Sequence, residues 1–469
     1  MISLTARALV ARLDEWRSAA PAYRALADRI RLLILDGRIA VGTRLPAERE
    51  LAAQLGVSRT TIAAAYAELR ELGVLESTRG SGSIARLPAG RLLDHGIGRE
   101  PHDLSKATMP ASPRLVDAMR AAVERLPEFV RESGFDPVGL PVLRAAIAER
   151  YTARGLATVP EQIMVTIGAQ HAMSLLGRTL LSRGDRVVIE HPTYPHAIDA
   201  FAQAGGRLIP VGVDAVDGWD AAALEQTVAR SSPALAYLMP DNHNPTGLTM
   251  PAALLECTLH AAAAQGTTVV VDETMGELTL DGPNRPPAAA LGPAVLLGSV
   301  GKTVWGGLRL GWIRAEPSLI GTLARARFAN DLGTPIVDQL AVAELLPEFD
   351  AVLAERLDRL RAGRAHLLAR LEERFPEWSA PVPHGGLTAW VAIGRPVSSQ
   401  LALTARALGL VISAGPRFAI DGAFERHLRL PFSHPADVTD RALDVLAVAW
   451  RRIVSGETAA FSEQLEQVV

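Results

Sequence analysis

The chain of 469 residues, 48% hydrophobic and carrying a net charge of −3, is too long for one ordinary domain and apolar enough to build two or three cored units. A single cysteine, Cys257, excludes an internal disulfide framework and disfavours a thiolate metal site, so no metal is expected. No apolar run approaches 18 residues and the start, MISLTARALVARLDEW, lacks a secretory core; we therefore expect no membrane span and a cytoplasmic location.

Residues 1–20 read as a helical extension. In YRALADRIRLLILDG, 23–37, Leu26, Ile30, Leu33 and Ile34 share one helical face, which Gly37 ends. In the following stretch, VGTRLPAERELAAQLGVSRTTIAAAYAELRELG, Pro46 suits a first helical turn, Gly56 a tight turn and Ser58 an N-cap. Then VLESTRGSGSIARL reads as two short strands joined at Gly80-Ser81-Gly82. Residues 21–87 are thus expected to be a winged helix-turn-helix. Such a module sets the start of its recognition helix in the major groove, here Ser58, Arg59, Thr60 and Thr61. Arg59 suits a guanine edge, and Arg44 and Arg49 suit phosphates. Arg79, between the wing strands with Gly80 and Gly82, suits a minor groove. Residues 1–90 hold 13 arginines against 9 acidic residues, a balance that fits nucleic acid and equally fits solvated helix faces.

Residues 88–102, PAGRLLDHGIGREPH, read as a linker. Beyond it, the apolar runs QIMVTI, DRVVIEHP, ALAYLMP, TTVVVDE and AVLLGS alternate with helical patterns, as in an α/β domain with a mostly parallel sheet. From about 340 the pattern becomes a smaller α+β part. The expected domain spans 103–455, followed by a tail at 456–469.

Parallel sheets bind ligands at the carboxyl ends of their strands. Read in order, those ends carry Gly168, Ala169 and Gln170 before a helix; Tyr194 in HPTYP; Asn244 in PDNHNPTG; Asp272; and Ser299, Lys302 and Arg309 in SVGKTVWGGLRLGW. Farther on, Arg429 stands in HLRLPF. Lys302 stands out because the chain holds 46 arginines and only one other lysine, Lys106. An amine can attack a carbonyl and hold it as a Schiff base, which a guanidinium cannot.

Each residue alone is weak evidence, but the ordered set fits pyridoxal 5'-phosphate. Lys302 would hold the aldehyde and Asp272 the pyridine nitrogen. Asn244 would meet the phenolic oxygen and Tyr194 would cover the ring. The amides of Gly168, Ala169 and Gln170, with Ser299 and Arg309, would hold phosphate. Arg429 would take a carboxylate.

The words GAQ, PTYP, NPTG, a strand-terminal Asp, SxxK and GLRxGW resemble the fold-type I, class I/II aminotransferases over roughly 103–455. Residues 134–144, GFDPVGLPVLR, fit as well, with Phe135 where the family often has tyrosine. RLPAERELAAQLGVSRTTIAAAYAELRELGVLESTRGSGSIA resembles the GntR family of bacterial transcription regulators. The fusion resembles the MocR subfamily. That resemblance implies a multidomain homodimer in the bacterial cytoplasm, at the nucleoid when bound to a double-stranded operator, with the cofactor sites near the subunit interface. It implies a ligand-responsive regulator in which Lys302 holds the cofactor as an aldimine and an amino compound, or the vitamer itself, is sensed. A genuine aminotransferase with an accessory head is the alternative. Where the family places a tyrosine shortly after the strand-terminal aspartate, this chain reads Asp272-Glu273-Thr274-Met275, a departure that argues against efficient transamination.

Overall fold

The computed structural model describes residues 3–13, 16–17, 21–35, 38–78, 82–86, 102–131 and 133–455. Arg79 and Gly80, the expected linker residues 88–101 and the expected tail 456–469 lie outside them.

The head contains α1 (Ala6–Leu13), α2 (Ala22–Leu35), α3 (Glu48–Leu55) and α4 (Arg59–Glu71), followed by the antiparallel wing of β1 (Leu75–Thr78) and β2 (Gly82–Ala85). Leu26, Ile30, Leu33 and Ile34 of α2 are buried as their spacing requires, against Leu9, Leu51, Ile62 and Leu69. Gly56 ends α3 at φ +63°, a left-handed conformation that costs glycine little. Pro46 lies just before α3 rather than in its first turn, and its carbonyl accepts from Tyr66 Oη at 3.0 Å, tying α3 to α4.

The large domain is built on an eight-stranded sheet. Its strands are β4 (Ile163–Thr166), β5 (Arg186–His191), β6 (Arg207–Asp214), β7 (Gly218–Trp219), β8 (Leu235–Leu238), β9 (Thr268–Asp272), β10 (Val295–Ser299) and β11 (Gly311–Arg314), and β3 (His102–Asp103) precedes them elsewhere. The spatial order is β4-β11-β10-β9-β8-β5-β6-β7. The series β10-β9-β8-β5-β6 is parallel, while β11 runs antiparallel to both β10 and β4. Every residue of β4 and β8 is buried, as expected for strands covered on both faces. The ends of β4, β5, β8, β9 and β10 therefore meet along one edge.

The smaller part pairs β12 (Thr388–Ala392), β14 (Ser413–Ala414) and β15 (His427–Pro431) in the order β12-β15-β14. Helices Phe349–Arg374, Ser398–Ala407 and Ala436–Ser455 accompany it. Strand β13 (Leu410–Val411) pairs in parallel with β3. His102, expected as the last linker residue, is thus already pinned to the small part by its backbone.

The head is docked on that small part through α2. Arg29, only 2% exposed, donates to Ser399 Oγ at 2.8 Å and Gly422 O at 2.8 Å and pairs with the buried Glu425 at 2.9 Å. Arg38 donates to the carbonyls of Pro416 and Ala419, and to that of Ile420 at 3.4 Å. Leu32 of α2 packs into the core of the body rather than that of the head.

Candidate cofactor site and DNA-facing surface

A cavity of about 390 Å³ opens where the strand ends converge, lined by Ala169, Gln170, Tyr194, Asn244, Asp272, Ser299, Lys302 and Arg309. All eight were singled out from the sequence. Gly168 stands behind them at φ +75°, and a Cβ there would lie 2.9 Å from Arg309 Nη2. Glycine therefore lets the guanidinium sit against the start of helix Gly168–Leu180, where backbone N–H groups favour an anion.

Lys302 Nζ donates to Ala107 O at 2.8 Å. Lys302 is half-buried in the cavity wall, and this partial desolvation, with Arg429 and Arg309 nearby and only partly offset by Asp272, lowers its pKa from 10.5 to about 8. The Asp272 carboxyl is 2% exposed. Burial pushes its pKa up, against the hydrogen bonds it accepts from Thr274 N at 2.9 Å and Tyr237 Oη at 2.7 Å and the attraction of Lys302. Burial, reinforced by Asp272, raises Tyr194 to about 12, so its hydroxyl keeps its proton at neutral pH.

Two of the residues expected at the phosphate have side chains engaged locally. Ser299 Oγ donates to Leu310 O at 2.9 Å and accepts from Gly301 N at 3.0 Å; its proton must swing away from that carbonyl before it can meet an anion. Gln170 Nε2 donates to His196 O at 3.1 Å. Met275, 2% exposed, lines the cavity with a thioether that has no proton to donate. Phe135 is 65% exposed and is not among the lining residues.

The sequence reading missed Thr108, Met109, Met239 and Trp305, which also line the cavity, and Tyr237, which holds Asp272 from β8. Arg429 lies in a second cavity of about 420 Å³ that shares Thr108, Tyr194 and Lys302 with the first. It is 6% exposed, and burial lowers its pKa to about 10. It donates to Ser105 O, lies over the Phe418 ring at 5.0 Å, and keeps a buried Nε with no hydrogen-bond partner among the described residues.

The cavity suits pyridoxal phosphate on this structure's own terms. Asn244 is 3% exposed, and its Oδ1 lacks a partner among the described residues, a polar end that an added polar group can satisfy. A desolvated amine, a buried carboxylate and a guanidinium beside a helix start complete the donor set.

On the head, Ser58, Arg59 and Thr60 are exposed and Thr61 is half-buried. Ser58 Oγ accepts from Thr61 N at 3.1 Å, capping α4, and lies 2.7 Å and 2.8 Å from the Thr60 and Thr61 hydroxyls. Arg59 pairs only loosely, at 3.5 Å, with Glu48. Arg44 and Arg49 are exposed, and the Arg44 backbone bridges to Ile84 of the wing. Gly82, at φ +81°, faces the Arg44 guanidinium: a Cβ there would stand 3.0 Å from its Nε. Among the described residues no helix is long and apolar enough to cross a membrane, and no acidic, histidine or cysteine cluster is arranged to hold a metal.

Residues 107–446 match the family Aminotransferase class I and II, and residues 22–84 match the bacterial regulatory proteins of the gntR family. The chain is 30% identical to the probable rhizopine catabolism regulatory protein MocR of Rhizobium meliloti, over 76% of this chain and 78% of that one. It is also 30% identical to the HTH-type transcriptional regulator TauR of Rhodobacter capsulatus, over 85% and 90% of the two chains. The crystal structure of LysN, the α-aminoadipate aminotransferase of Thermus thermophilus, superposes with a TM-score of 0.70 at 27% identity, covering 76% of this chain and 94% of that one. The chain therefore belongs to the aminotransferase class I and II family and, with its GntR-type DNA-binding head, is a pyridoxal-phosphate-dependent transcription regulator of the MocR type.

Proposed function

We propose that this regulator is a homodimer that senses an amino compound at Lys302 and converts its binding into a change in operator affinity. The observation that carries the reading is the Lys302 amine, held by Ala107 O at 2.8 Å, in the shared lining of two adjoining cavities, one lined by Asp272 and the other by Arg429. When bound, pyridoxal phosphate supplies an aldehyde and an electron-withdrawing ring. Lys302 is the nucleophile for that aldehyde. Asp272, held by Tyr237 and Thr274, would neutralise a protonated ring nitrogen, whose charge would in turn favour the carboxylate against the cost of burial. Arg309, Ser299 and the amides of Gly168, Ala169 and Gln170 hold phosphate, Asn244 meets the phenolic oxygen, Tyr194 covers the ring, and Arg429 takes the ligand carboxylate. Arg44, Arg49, Arg59, Thr60 and Thr61 contact the operator, with Ser58 capping the helix that carries the last three.

Met275 supports a sensor over a working transaminase, because its thioether gives no hydroxyl to tune the cofactor's oxygen. The lowered lysine pKa equally supports turnover, so one experiment must separate the two. Absorbance titration of the holo protein with a panel of amino acids, with operator binding followed in parallel, should show saturable spectral shifts that change DNA affinity by roughly 5- to 150-fold, the usual range for about 1–3 kcal/mol of coupling. Sustained multiple turnover without sequence-specific DNA binding would overturn the reading in favour of an aminotransferase.

A further inference from the structure

The second cavity extends past Lys302 and Arg429 to Leu32 and Leu35 of α2, so part of its wall belongs to the DNA-binding head. Its lining is cationic. Lys106, Arg406, Arg417 and Arg429 join Lys302 there, and no carboxylate lines it among the described residues. Lys106 is already paired with Asp103 at 2.8 Å. Two guanidiniums are less well served. Arg429 has its unpartnered buried Nε, and the guanidinium of Arg406, half-buried on helix Ser398–Ala407, makes no hydrogen bond or ion pair among the described residues. A ligand with one carboxylate answers Arg429 and leaves Arg406 facing a cavity of like charges. A second anion answers it with charge-assisted hydrogen bonds. In the same lining, Leu32, Leu35, Ala402 and Leu403 offer apolar wall to a short methylene chain.

Resting on the reading of Lys302 and Arg429 as the sensing site, we infer that the effector is an amino acid whose side chain ends in a second acidic group. Its α-carboxylate meets Arg429, its distal acid meets Arg406, and its methylenes lie along α2. The head thus contacts the ligand itself.

The test uses the full-length holo protein and the cofactor's absorbance to measure affinities for L-glutamate and L-2-aminoadipate against the uncharged L-glutamine and L-norleucine. The acidic pair should bind about tenfold or more tighter, the usual scale of one charge-assisted hydrogen bond. Arg406→Ala should bring that ratio close to unity, and Arg406→Glu should turn it toward L-lysine. Equal affinities in the wild type, or an unchanged ratio in Arg406→Ala, would overturn this inference while leaving amino-acid sensing intact. Displacement of bound glutamate by a second equivalent of free pyridoxal phosphate would assign the cations to a vitamer phosphate and also overturn it. If no amino acid perturbs the absorbance, the sensing reading falls with it.

Discussion

Arg59 and Arg29 belong to the same small head, yet the first keeps 74% of its side chain exposed beside a loose partner at 3.5 Å, while the second keeps 2% and is saturated by Ser399, Gly422 and Glu425. The outward face offers charge to something outside the molecule, in water, where salt screens it. The inward face has spent its charge on the body. One residue type thus serves recognition on one side and assembly on the other, and burial rather than chemistry decides which. The cofactor site resembles the inward face: Lys302 and Arg429 are both shifted downward by the loss of water.

This contrast ranks the expected effects of substitution. Lys302→Ala should abolish the borohydride-trapped covalent adduct entirely; since Lys106 is the other lysine, a persistent adduct seen by mass spectrometry would point there. The lowered lysine pKa adds a pH signature. The unfolded chain binds the proton up to about 10.5 and the folded one only up to about 8, so the amine's contribution to the stability of cofactor-free protein should rise with pH across that window. Thermal melts at pH 7.5, 8.5 and 9.5 comparing wild type with Lys302→Met would expose it, and an identical pH slope in both would contradict the desolvated amine.

Arg29→Ala should cost about 3–5 kcal/mol of head docking, because it leaves Glu425 buried with its counter-ion gone. Hydrogen exchange across Ser398–Ala407 reports it; unchanged protection would mean that the inward face is held by apolar packing alone. Arg59→Ala should weaken operator binding by about 1–3 kcal/mol, the usual size of one bidentate base contact, with little change in melting temperature. An unchanged operator affinity would remove Arg59 from the readout. Smallest is Ser58→Ala, expected to cost roughly 1 kcal/mol of stability by removing the α4 cap, measured by denaturant unfolding of the full-length protein.

The candidate site was legible because strands buried on both faces leave long apolar runs, and the polar residues ending those runs fall along one sheet edge by topology alone. The helix-turn-helix was legible through its caps, Gly56 and Ser58. What remained hidden depends on distant partners. Strand β11, inside GLRLGWIR, reads as a glycine-rich loop until its register against β4 and β10 is known. Tyr237 looks like one more apolar strand residue, and only the neighbouring β9 shows what its hydroxyl meets. Arg29 did carry a signal, since it falls three residues after Leu26 and four before Leu33 and so shares their buried face. Its partner, Glu425, is almost 400 residues away in sequence, and no local pattern names it.

Arg38 grips the carbonyls of Pro416, Ala419 and Ile420, while Arg417 and Phe418 of the same short segment line the cavity beyond Lys302. A single turn of chain is thus held by the DNA-binding head from one side and faces the cavity proposed for the ligand from the other. Thermodynamic linkage then works in both directions: whatever factor the ligand imposes on operator affinity, the operator must impose on ligand affinity. Copies resting on their operators and copies free in solution would therefore switch at different ligand concentrations, so the number of operator sites in a cell would itself help to set the response threshold.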